Sequence, residues 1–105
     1  MEKRAHQYKL TLEYLKNAKG ENMEIPPVQF EFENHDDIFS IIEKQKAMGL
    51  FADELQATEF AIGLKLFSEV MLKNRDNSLF EELLPAFGAF MKRLKGRQSN
   101  EWFSG

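Results

Sequence analysis

With 105 residues, 43% of them hydrophobic and 30% charged, the chain has the balance of one ordinary globular domain and too much apolar content for a disordered segment. It contains no cysteine, which excludes disulfides, thiolate catalysis and cysteine-ligated zinc. A net charge of −3 and a pI of about 5.4 argue against a dedicated nucleic-acid binder, which carries a basic excess.

The N-terminal run MEKRAHQYKL is charged but is not followed by an apolar core, so it does not read as a secretory signal. No uninterrupted apolar run approaches the roughly 20 residues that span a bilayer. The expectation is a cytoplasmic protein with no membrane partner. Tyr8, Leu10, Leu12 and Tyr14 alternate with Lys9, Thr11 and Glu13, which is the period of a half-buried strand. A polar stretch from Lys16 to Glu24 follows and closes with Pro26-Pro27. Val28, Phe30 and Phe32 then alternate with Gln29, Glu31 and Glu33 as a second strand; proline is tolerated there because it removes a donor only at the start of the ladder. The two strands are expected to form an antiparallel hairpin with a long loop. Such a hairpin is marginal alone and must pack on helices or pair with another chain.

At Asn34-His35-Asp36-Asp37 the period changes from two to helical spacing, with Ile38, Ile41 and Ile42 next. A first helix is predicted from near Asp37 to Gly49, the latter suited to the left-handed position after a helix end. Its apolar face collects Ile38, Phe39, Ile41, Ile42 and Met48. Gln45 falls inside that stripe, where burial would oblige it to find a hydrogen-bonding partner. A second helix is predicted from Asp53 to about Lys73, with Asp53 and Gln56 placed as a capping pair. It is apolar around most of its circumference, with Thr58, Lys65 and Glu69 on a narrow polar strip. A helix of that kind is either central or shared with a second subunit. The alternation Phe60, Ile62, Leu64, Leu66 leaves a strand at residues 60–66 as the alternative. Asn74 to Asn77 reads as a loop. Ser78 and Glu81 match a capping box that opens a third helix to about Lys95, bent or split by Pro85. Gln98 to Gly105 reads as a tail, so the expected organisation is one α+β domain over 1–96, a hairpin packed on about three helices in the order ββααα, and a tail over 97–105.

Several groups are candidates for function. His35, Asp36 and Asp37, with Glu33 and Asn34 beside them, offer nitrogen and oxygen ligands for a cation, although consecutive residues rarely converge on one ion. The alternative is a helix cap with carboxylates well placed against the helix dipole. Lys65 and Glu69 share a face of the second helix, where a lysine beside apolar surface can become a binding group. Lys92, Arg93, Lys95 and Arg97 gather at the end of the third helix, a weak signal for phosphate contact without an aromatic platform. Phe60, Leu64, Phe67 and Met71 are candidate interface residues, as are Trp102 and Phe103, aromatics in an otherwise polar terminus that dock on their own domain or on a partner. No nucleotide-binding, nucleophile-elbow, zinc-protease or calcium-loop motif is present. No cofactor or metal is therefore assigned, and an enzyme is not called for.

Three blocks, NHDDIFSIIEK at 34–44, GLKLFSEVMLKNR at 63–75, and LFEELLPAF with FMKRLK between residues 79 and 95, together resemble the bacterial domain-of-unknown-function 3861 family. The Tyr8-Lys9-Leu10 strand opening also looks like that family's start. The resemblance implies a small stand-alone cytoplasmic domain without assigned activity, arranged as a roll related to the β-grasp, and it transfers no catalytic residues. The expected function is a non-enzymatic interaction or regulatory module that self-associates or binds an unidentified protein partner. Alternatives are a small-ligand or divalent-metal-dependent activity at His35-Asp36-Asp37 and, more weakly, nucleic-acid contact through the basic helix end.

Overall fold

The computed structural model describes residues 5–96. Its elements are β1 (His6–Leu12), β2 (Val28–Asn34), α1 (Ile38–Met48), α2 (Glu54–Lys73), a 3-10 turn (Ser78–Phe80) and α3 (Leu83–Gly96). This is an α+β fold, a two-stranded antiparallel hairpin followed by three helices. The chain divides into two compact units, a hairpin unit ending at His35 and a helical unit beginning at Asp36.

In the hairpin unit the register runs from His6 opposite Asn34 to Leu12 opposite Val28. Because side chains alternate across a strand, this register places Tyr8 beside Phe32, Leu10 beside Phe30 and Leu12 beside Val28 on a single face. The Tyr8 and Phe32 rings stack with centroids 5.3 Å apart, and Phe30 lies against Phe32 at 5.8 Å. The opposite face carries Gln7, Lys9, Thr11, Gln29, Glu31 and Glu33. The connection is more ordered than its polar composition predicts. Asn17 Oδ1 accepts from the N–H groups of Lys19 and Glu21, Asn17 Nδ2 donates to Glu21 Oε1, and Gly20 closes the turn at φ 83°. Lys16 and Asn22 form an isolated bridge just outside it, reinforced by Lys16 Nζ donating to Asn22 Oδ1 at 2.9 Å. Short polar side chains that bond their own backbone make this turn, and hydrophobic periodicity carries no trace of them.

In the helical unit α1 and α2 pack on each other. Asp37 caps α1, its Oδ1 accepting from Ser40 N–H at 3.2 Å, and Gly49 ends it at φ 67°. The buried stripe of α1 is Ile38, Ile41, Ile42 and Gln45, at the i, i+3, i+4, i+7 spacing of one helix face. Phe39, expected on that face, is exposed, since it lies about 100° round the wheel from Ile38. Residues 60–66 are helical, within the 20 residues of α2. Asp53 caps it by accepting from Leu55 N–H at 2.9 Å. Its buried positions, Ala57, Ala61, Leu64 and Met71, again follow one face, and small side chains at Ala57 and Ala61 admit close approach of a neighbour.

The third helix departs from expectation at its start. Asn77, rather than Ser78, is the cap, accepting from Leu79 N–H at 2.9 Å, and the first piece is a 3-10 turn. Pro85 is the third residue of α3, inside the first turn, where a missing N–H costs no helical hydrogen bond. The expected split therefore occurs, but before the proline. A continuous relay of phenylalanine rings runs through the unit: Phe51 to Phe60, Phe60 to Phe90, Phe90 to Phe87, Phe87 to Phe67 and Phe67 to Phe80, each step between 5.2 and 6.4 Å. Four of these contacts are edge-on, the geometry that the ring quadrupoles favour, and the Phe87–Phe90 contact is tilted. This relay explains why the aromatic content is almost all phenylalanine, which asks for no polar partner.

Candidate functional site

The junction after β2 is where the sequence concentrates polar groups, and the fold assigns them separate tasks. Asp37 is occupied as the α1 cap. Asp36, one residue earlier, reaches across to α2 and accepts a hydrogen bond and an ion pair from Lys65 Nζ. The lysine side chain is 11% exposed and the aspartate 33% exposed. Two candidates taken from different parts of the chain thus meet as one charge-compensated pair. Lys65 sits on the polar strip of α2, and its side chain is largely covered while the ammonium finds a carboxylate.

The rest of the candidate set does not join them. Glu69, one turn after Lys65, is half-buried and contributes no carboxylate to that pair. His35 is exposed and closes the hairpin unit. Among the described residues no group of three or more His, Asp or Glu is placed to hold a metal ion. A lysine–carboxylate pair with the neighbouring carboxylate spent on a cap is the chemistry of a tether between α2 and the start of α1.

The second set is apolar. Leu64 and Met71, expected at an interface, are buried within the chain, whereas Phe60 keeps partial exposure and Phe67 is exposed on one side. Sequence periodicity cannot separate these because α2 is apolar around most of its circumference; the direction from which α1 approaches decides it. Trp102, Phe103 and Arg97 lie outside the described residues. Lys92 and Arg93 are exposed near the end of α3.

Two features escape the pattern of charged groups. One is a groove of about 390 Å³ lined by Leu50, Phe51, Phe60, Phe90, Arg93 and Leu94. The other is the outer end of the hairpin's apolar face, where Leu12 is 66%, Val28 60% and Phe30 45% exposed. Gln45 is a third oddity: it has no exposed surface, and neither its amide nitrogen nor its carbonyl oxygen has a hydrogen-bond partner among the described residues. No described helix is long and apolar enough to cross a membrane.

With this geometry in view, a family model described as "Domain of Unknown Function with solved-structure structure", DUF3861, matches residues 6–96. A crystal structure of a protein of unknown function from Pectobacterium atrosepticum is similar at a TM-score of 0.76 and 34% sequence identity, over 89% of this chain and 99% of that one. No curated protein matches.

Proposed function

The chain belongs to the DUF3861 family, whose function is unknown, and we propose that it is a small non-enzymatic interaction module that self-associates through the apolar face of its hairpin. The observation that supports this reading is the row Leu12, Val28 and Phe30, three large apolar side chains brought together by register and left in water. Sheet faces of that composition are ordinarily covered, and contiguous exposed apolar surface marks contact sites. A second copy is the occupant favoured here. The face is apolar on both strands and has no charge to match, so it can meet itself across a two-fold axis, and the charged residues Lys9, Glu31 and Glu33 stay on the outer side. Two sheets packed in this way lie about 10 Å apart.

Magnitudes set the strength. Covering the exposed part of each of these side chains is worth on the order of 1 kcal/mol, six per pair of chains, against an association cost of at least about 4 kcal/mol. A reversible, concentration-dependent dimer follows rather than an obligate one. Multi-angle light scattering across a dilution series measures it. The mass should rise towards twice the 12.3 kDa chain with concentration, and Val28→Lys should hold the protein at one chain. A wild-type protein that stays at one chain throughout would refute the proposal.

A further inference from the structure

The phenylalanine relay ends in a groove that is apolar except for one cation. Leu50 and Phe51 from the α1–α2 connection, Phe60 from α2, and Phe90, Arg93 and Leu94 from α3 line about 390 Å³ of space. That falls within the roughly 300–1,000 Å³ of small-ligand sites. Phe60 stands edge-on to Phe51 at 5.2 Å and to Phe90 at 6.4 Å. Phe90 is 42% exposed, and Phe51 and Phe60 keep partial exposure, so ring surface that the relay does not cover lines the groove.

Arg93 sets the charge. It is the one charged side chain among the described residues that line the groove. Its guanidinium makes no hydrogen bond or ion pair with a described residue. The positions three and four away in sequence, Ala89, Phe90, Gly96 and Arg97, offer it no carboxylate. Lys65, by contrast, has its charge answered by Asp36. Lys92 is a second exposed cation at this end of α3, and the two outweigh the roughly half unit of negative charge that a helix C-terminus carries. A guanidinium is a planar fork that meets a carboxylate through two parallel N–H···O bonds. Arg93 follows Phe90 by three positions, so fork and exposed ring share one side of α3. We propose that the groove binds a small aromatic monocarboxylate, its flat ring against Phe51, Phe60 and Phe90 and its carboxylate on Arg93. Such a ring joins the relay as a further member, whereas a neutral analogue leaves the guanidinium unanswered and a cationic one opposes it. The site lies within the helical unit and asks nothing of the hairpin face.

The probe is 2-naphthoate, titrated into the isotope-labelled intact chain, with affinity read by calorimetry. Saturable binding should move the amide signals of Phe51, Phe60, Phe90 and Leu94 and leave those of Leu12, Val28 and Phe30 in place. Arg93→Gln, at an exposed side chain, should weaken 2-naphthoate about tenfold. The neutral 2-naphthamide should bind the wild type about as weakly and be indifferent to that substitution. Phe90→Ala should remove the shifts; the arginine variant decides the matter if Phe90→Ala does not fold by circular dichroism. Decahydro-2-naphthoate, with the same charge and no aromatic ring, should bind about threefold more weakly than 2-naphthoate. No saturable binding, an affinity indifferent to Arg93→Gln, or shifts confined to the hairpin overturns the proposal. A saturated acid that binds as tightly as 2-naphthoate overturns it equally. Val28→Lys, on the hairpin, should leave the affinity unchanged, so failure here is distinguishable from failure of the self-association reading.

Discussion

Two side chains carry most of the chemistry of the helical unit, and they behave differently. Lys65 is nearly buried and has Asp36 beside it. Removing the carboxylate leaves a largely buried ammonium without that partner, which costs more than the pair itself contributes. Asp36→Ala is expected to lower stability by about 2 kcal/mol, below the cost of a fully buried pair because a third of Asp36 remains in water. Adding Lys65→Met should recover most of that loss, since an unbranched apolar chain then fills the same space. Urea denaturation of the two variants reads both values; a double variant as weak as the single one would mean the pair is not a unit. Gln45 presents the inverse situation. Its amide is buried without a hydrogen-bond partner among the described residues, a desolvation cost that a thioether of similar shape avoids. Gln45→Met should therefore raise stability by about 1 kcal/mol. A drop in the thermal midpoint would instead show that the amide is bonded.

At the level of elements, the helix ends illustrate what local chemistry dictates. Gly49 takes φ 67° after α1, where a side chain meets its own backbone, so Gly49→Ala should cost about 1 kcal/mol. Gly63 lies mid-helix in α2, and a methyl group there would meet nothing within 4 Å. Gly63→Ala should thus stabilise by about 0.5–1 kcal/mol. Opposite signs from the same substitution, measured by thermal unfolding, check that backbone conformation rather than packing sets each. These ends were legible in the sequence: Asp37, Asp53 and Gly49 do what their residue types and positions predict. The antiparallel hairpin was legible too, from the period-two runs at 8–12 and 28–33, whereas its register was not, because a slip of two residues keeps the apolar residues on the same face. The missed details share a cause. The Asn17–Glu21 turn, the Asn77 cap and the 3-10 start of the third helix are all made by short polar side chains bonding nearby backbone, which leave no periodic signature.

For the whole molecule, the candidate site was legible only in part. The sequence marks Asp36 and Lys65 as unusual but cannot bring together residues 29 positions apart, so their pairing emerges only when α2 is laid beside α1. It marks Phe60, Leu64, Phe67 and Met71 alike, and the fold then buries Leu64 and Met71. What the fold leaves exposed is the hairpin face, and self-association through that face is the central claim. Intermolecular nuclear Overhauser contacts in an equimolar mixture of isotope-labelled and unlabelled protein test it most directly. The account predicts cross-peaks linking Leu12, Val28 and Phe30 of one copy to the same residues of the other, strengthening with concentration. A mixture with no such cross-peaks at any concentration, or with cross-peaks confined to the helical unit, would contradict it.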